Sequence, residues 1–170
     1  MNKMKQIRIE KLTLNIGTGK DQDKLSKAIK LLEQLTSTKP VKTITKKRIA
    51  SWGLRPGLPI GCKTTLRKED AKKLLSRLLK AKEGHLLSSC FDNSGNISFG
   101  IHEYIDIPDS KYDPDIGVIG LQVSITLERP GFRIKRRKLM KRKIPIKHKI
   151  SKNDALEYFK KEFQIITGEK

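Results

Sequence analysis

The chain predicts a two-layer α+β domain, an antiparallel sheet with helices on one face and a polar face left open on the other. Three observations point there. Four stretches alternate apolar and polar residues with the period of a half-buried strand, and three others carry apolar stripes at helical spacing. The length of 170 residues and the 36% hydrophobic content support one modest core. No repeat or low-complexity linker divides the chain, so residues 1–170 read as a single domain.

The elements follow in order. Leu12, Leu14 and Ile16 alternate with Lys11, Thr13 and Asn15, the mark of a strand with one wet face. Leu25, Ala28, Ile29, Leu32 and Leu35 make the stripe of a first helix. Residues 41–45 form a shorter strand-like run of ambiguous facing. Next, Ile60, Cys62, Thr64 and Leu66 alternate with Gly61, Lys63, Thr65 and Arg67. A second helix carries Ala71, Leu74, Leu75, Leu78 and Leu79 and stops near Gly84. Two more strands follow, with Ile97, Phe99 and Ile101 set against Ser98, Gly100 and His102, and Leu121, Val123, Ile125 and Leu127 against Gln122, Ser124, Thr126 and Glu128. SKND at Ser151 is an S-x-x-D capping box that opens a third helix through Leu156, Phe159 and Phe163.

Charge narrows the function. Lys plus Arg is 38 against 18 acidic residues, a formal charge of +20 with pI near 10.1, which makes a polyanion the natural partner. No apolar run approaches the roughly 20 residues that span a bilayer. The opening MNKMKQIRIEK also lacks the apolar region of a signal peptide, so a cytoplasmic protein with no membrane partner is expected. Cys62 and Cys90 stand alone without CxxC spacing and read as small core residues.

The charge is unevenly spread. Residues 34–68 hold nine Lys or Arg and no acid, and ten more crowd residues 132–149. Between them, residues 92–115 are acidic, with Asp92, Glu103, Asp106, Asp109, Asp113 and Asp115 against a single Lys111. The polar strand face adds Lys11, Thr13, Asn15, Lys63, Thr65 and Arg67, donors suited to phosphates and ribose hydroxyls. Alternation alone fits an ordinary solvated face equally well, but such a face normally mixes in Glu and Asp. The arm at 132–149, its charges spaced by Ile134, Leu139, Ile144 and Ile146, reads as a segment that becomes ordered on nucleic acid. In the linking loop 43–58, Gly53, Pro56 and Gly57 disfavour regular structure, so a projecting, mobile basic loop is expected. The chain is then a single RNA-binding domain with a basic loop and a basic arm.

Catalytic readings fare poorly. NIGTGKD lacks the first glycine and the final Ser or Thr of a phosphate loop, because Leu14 and Asp21 occupy those places. Gln22 likewise breaks G-x-G-x-x-G, leaving a tight turn with at most a weak anion site. The acids of HEYIDIPDSKYDPD read as a surface loop rather than a metal site. No nucleophile arrangement stands out, so neither an enzyme, a cofactor nor a metal is expected.

The succession LTLNIGTG, LEQLTSTKPV, LRPGLPIGCKTTLR, ISFGIHEYIDIPDSKYDPDIG and HKISKNDALEYFKKEF resembles the universal large-subunit ribosomal protein five family, which binds 5S rRNA. The likeness covers nearly the whole chain, and its start and the basic stretch before SKNDA are similar to the archaeal and eukaryotic branch. The resemblance implies that the sheet face docks on 5S rRNA, with further contact to large-subunit rRNA in the central protuberance. It implies as partners P-site tRNA, neighbouring central-protuberance proteins and a small-subunit head protein across an intersubunit bridge.

Site residues follow from the two readings together. The 5S rRNA face comprises Lys11, Thr13, Asn15, Thr38, Lys39, Lys63, Thr65 and Arg67. Asn15 and Thr65 match family positions, and Thr38 stands where the family has Gln, since LTST replaces LTGQ. The tRNA loop comprises Lys46, Lys47, Arg48, Trp52 and Arg55, with Trp52 either stacking on RNA or pinning the loop to its base. The rRNA arm comprises Arg133, Lys135, Arg136, Arg137, Lys138, Lys141, Arg142 and Lys143. A free-standing RNA chaperone or nucleoid protein is the alternative function, marked by broad binding to DNA and RNA. A phosphate-handling enzyme is a further one, marked by turnover.

Overall fold

The computed structural model describes residues 2–168. In chain order, β1 (Arg8–Gly17) leads into α1 (Gln22–Thr36), β2 (Val41–Ile44), β3 (Pro59–Leu66), α2 (Lys68–Lys80), β4 (His85–Leu87), β5 (Ile97–Ile101), β6 (Leu121–Glu128), α3 (Lys152–Phe163) and β7 (Ile166–Gly168). Five strands form one antiparallel sheet in the order β2-β3-β1-β6-β5. The chain adopts the two-layer α+β architecture that its periodicities predict.

β1 is central because it is the longest alternating run, and it pairs with β3 on one side and β6 on the other. Its Leu12, Leu14 and Ile16 are buried with Cys62 and Leu66 of β3, Val123 and Ile125 of β6, and Ile97 and Phe99 of β5. The stripes of α1 and α2 join the same core: Leu25, Ala28, Leu31, Leu32 and Leu35 from one, Ala71, Leu74, Leu75, Leu78 and Leu79 from the other. Each fully buried Leu contributes roughly 1.5–3 kcal/mol. Leu31 enters the α1 stripe, whereas Ile29 lies at its margin. Cys62 is fully buried, and burial pushes its thiol up to about 11, so it stays protonated and inert at neutral pH. Cys90 packs, half-buried, against the same core.

α3 starts where the capping box places it. Ser151 Oγ accepts from the Asp154 N–H, and the Asp154 carboxylate accepts from the Ser151 N–H at 3.0 Å. Arg129 Nη2 also reaches that carboxylate at 3.1 Å, joining the segment after β6 to the start of α3. Buried Phe159 meets Phe91 edge-on at 6.1 Å. β4 and β7 form a separate parallel pair, with His85 opposite Ile166. At three residues each they are too short for alternation to register in sequence.

The basic loop has order of its own. The Thr45 N–H donates to Leu58 O at 2.9 Å, and Ile49 and Leu54 exchange two backbone bonds of 3.0 Å around a left-handed Gly53. Leu54 is buried at this small hairpin tip, while Trp52 is 68% exposed.

Burial alone would raise the Asp154 pKa, but the Ser151 hydrogen bonds and the Arg129 charge outweigh it and hold the carboxyl below its ordinary value of 3.8. A depressed folded pKa stabilises the protein above the unfolded value, and that contribution disappears as pH falls through the folded one. Asp154→Ala should therefore cost about 1–2 kcal/mol at pH 7. In thermal melts the gap to wild type should shrink as pH drops below about 4; a pH-independent gap would mean that ionised Asp154 contributes nothing.

Candidate nucleic-acid interface

Because helices α1 and α2 cover one side of the sheet, every second residue of its central strands is turned to the other. Register then sorts these residues into rows. Thr65, Thr13, Ser124 and Ser98 stand opposite one another across β3, β1, β6 and β5, making a row of hydroxyls. The adjacent row is Lys63, Asn15, Gln122 and Gly100. Asn15 Nδ2 donates to Gln122 Oε1 at 3.2 Å, and the Ser98 and Ser124 hydroxyls lie 3.4 Å apart. Lys11 opposes Thr126 on the other side of the hydroxyl row, and exposed Arg67 follows β3 directly. Uncharged donors and acceptors thus fill the middle, with cations around them.

The only carboxylates in the five strands of this sheet are Glu10 and Glu128, and both are covered. Arg8 Nη2 meets Glu128 Oε1 at 2.6 Å, and Arg136 Nη2 meets Glu128 Oε2 at 2.7 Å. Arg136 Nη1 ion-pairs with Glu10, which a β-bulge between Ile9 and Lys11 sets beside Glu128. Arg136 of the arm therefore bridges both acids, Arg8 supplies the second positive charge, and the arm is tied to the sheet.

The rest of the arm is held at its base. Phe132 is buried, edge-on to His148 at 5.7 Å, and Arg129 Nη1 donates to Lys149 O at 3.0 Å. Arg133, Lys135, Arg137, Lys138, Lys141, Arg142 and Lys143 are exposed, with Leu139 and Met140 exposed among them. Arg136 differs from these seven in having acidic partners among the described residues.

Of the other residues singled out from sequence, Thr38 and Lys39 lie between α1 and the edge strand β2, outside the rows. The Thr38 hydroxyl is 2.9 Å from that of Thr36. Lys46, Lys47, Arg48, Trp52 and Arg55 are all exposed on the loop, and Leu54 rather than Trp52 buries itself at the tip. In the glycine turn, the N–H groups of Thr18 and Gly19 both donate to Ile60 O and so are not free for an anion. The acidic segment wraps buried Tyr104, whose hydroxyl accepts from the Asp113 N–H at 2.9 Å, while Arg77 donates to Pro108 O. Gln122, Ser124 and Ser98 share the open face with Asn15 and Thr65. Their alternation marked them as polar-facing, but only the adjacency of β1 and β6 brings them into the same rows.

Glu10→Ala together with Glu128→Ala should release the arm, because both carboxylates hold Arg136. Trypsin cleavage within residues 133–143 of the free protein is expected to rise several-fold, with a stability loss of about 1–3 kcal/mol from the unpaired arginines and lost bonds. Equal cleavage rates in wild type and variant would show that the Arg136 contacts do not hold the arm.

Comparison with known proteins places the chain in a family. Residues 2–55 match the family model for Ribosomal protein L5, and residues 59–158 match the model for the C-terminus of the same ribosomal family. The two matched stretches meet inside the β2–β3 loop, yet their strands interleave in one sheet. The chain is 46% identical to the large ribosomal subunit protein uL5 of Sulfurisphaera tokodaii, over 97% of this chain and 94% of that one. It is 46% identical to uL5 of Methanosphaera stadtmanae, over 97% and 98% of the two chains. It is 48% identical to uL5 of Nanoarchaeum equitans, over 95% and 96%. The chain belongs to the ribosomal protein L5 family, in its archaeal-type branch.

Proposed function

We propose that this protein is a structural constituent of the large ribosomal subunit that binds 5S rRNA through the open face of its sheet. The observation that carries the reading is the face itself, with rows of hydroxyl, carboxamide and lysine side chains and both carboxylates capped by arginine. Thr13, Asn15, Lys63 and Thr65 form its centre, Lys11 and Arg67 its cationic margin, and Thr38 and Lys39 an outlying contact beyond β2. The exposed arm cations contact large-subunit rRNA in the central protuberance, and Arg136 positions them. The loop carrying Lys46, Lys47, Arg48 and Arg55 meets P-site tRNA, with exposed Trp52 available to stack. Neighbouring central-protuberance proteins and a small-subunit head protein complete the surroundings, in a cytoplasmic ribosome. The role is one of binding rather than turnover.

On this reading, Asn15→Ala and Thr65→Ala each weaken 5S rRNA binding by about 1–3 kcal/mol without altering the fold. Replacing Arg133, Arg137 and Lys138 by Gln flattens the dependence of affinity on salt, because each phosphate neutralised releases counterions. Filter binding of the purified protein to 5S rRNA at several salt concentrations measures the first, and to large-subunit rRNA the second. Unchanged affinity in both alanine variants would remove the sheet face from the site, and an unchanged slope would leave the arm cations in solvent. Equal affinity of the wild-type protein for unrelated DNA and RNA would favour a general chaperone instead.

The loop separates from the face. Replacing residues 46–55 by a short Gly-Ser link should preserve 5S rRNA binding and speed peptidyl-tRNA release from the altered ribosomes, most clearly at low salt. Identical release at low and high salt would remove the tRNA contact, and lost 5S rRNA binding would assign the loop to the docking face.

A further inference from the structure

A cleft of about 370 Å³ opens on the polar face around the ends of β1, β5 and β6. Gly17, Gly100 and Gly120 line it together with the polar side chains of Asn15, Gln122 and His102. Among the described residues, no Lys or Arg lines it. Its hydrogen-bonding pattern is defined by the amide pair. With Asn15 Nδ2 donating to Gln122 Oε1, Asn15 Oδ1 remains to accept and Gln122 Nε2 to donate. Turning both amides over exchanges the roles and keeps one donor beside one acceptor.

The glycines are not all explained from within. Gly120 is, since a Cβ there would lie 2.7 Å from His102 O. At Gly17 and Gly100, no heavy atom lies within 4 Å of an added Cβ, and neither residue has a left-handed φ. Glycine weakens a strand, so its presence where the fold accepts a side chain marks a place that something else approaches closely.

We infer that this cleft seats one unpaired nucleobase of the bound RNA, its ring over Gly17 and Gly100 and its edge hydrogen-bonded by the Asn15–Gln122 pair. The inference rests on the proposed RNA reading of this face and adds a base-reading contact to it. A phosphate offers only acceptors and seeks cations, which the cleft lacks. A base edge presents a donor next to an acceptor, and carboxamides pair with adenine in that way. A wall free of side chains suits a planar ring.

The test uses the full chain and a 5S rRNA transcript, with Gly100→Val, Gly17→Val and the smaller Gly100→Ala. Each variant is expected to fold with a melting temperature close to that of wild type, because an added Cβ meets no heavy atom within 4 Å at either position. Each valine variant should bind the transcript about tenfold more weakly. Probing with dimethyl sulfate and carbodiimide should show one unpaired base shielded in the wild-type complex and reactive in the Gly100→Val complex at saturating protein. Wild-type affinity and an unchanged footprint in all three variants overturn the cleft and leave the polar-face reading standing. Weakened binding with no base gaining reactivity also overturns it, in favour of a backbone contact. Failure of the wild-type protein to bind the transcript overturns the RNA reading and the cleft together.

Discussion

Helices α1 and α2 bury one face of the five-stranded sheet and leave the other face open to water. With a side-chain period of two, that single choice dictates every second residue of β1, β3, β5 and β6. Leu12, Leu14 and Ile16 must be apolar because they meet the helices, and Thr13 and Asn15 between them must be soluble because they do not. A one-residue slip of β1 would turn its leucines to solvent and its polar residues to the core. The burial that holds the fold together is therefore also what aligns Thr65, Thr13, Ser124 and Ser98 in one row.

Electrostatics finishes what burial begins. A chain of formal charge +20 repels itself, and its densest stretch follows β6 directly. Glu10 and Glu128 answer that locally, taking up Arg8 and Arg136 where β1 and β6 run side by side. The same pairs remove the sheet's own negative charge, which would repel a phosphate backbone. Anchoring the arm and covering the sheet's own carboxylates are thus one interaction, made by the same arginine.

Strands, helices and the open face were legible because they are periodic. Leu121, Val123, Ile125 and Leu127 could belong to little else, and SKND announced α3 through a local exchange of hydrogen bonds. What escaped depends on distance along the chain. Arg136 finds Glu10 across 126 residues, and Asn15 finds Gln122 across 107, so neither pair is visible before strand order is known. β4 and β7 escaped through shortness. The basic loop held Gly53, Pro56 and Gly57, which argued for irregularity, but a two-bond bridge between Ile49 and Leu54 gives it a closed tip. Trp52 was a candidate to pin the loop to its base, yet the smaller Leu54 does the burying and leaves the indole exposed.

The central claim is that the side of the sheet free of helices is the side that meets RNA. Titrating isotope-labelled protein with 5S rRNA and following side-chain amide and methyl resonances tests it directly. The account predicts large perturbations at Asn15 and Gln122 and at the methyls of Thr13 and Thr65, with those of Leu31, Leu32, Leu75 and Leu78 in the helix-covered core nearly unmoved. Perturbations concentrated on the outer surfaces of α1 and α2, with Asn15, Gln122 and Thr65 silent, would contradict it.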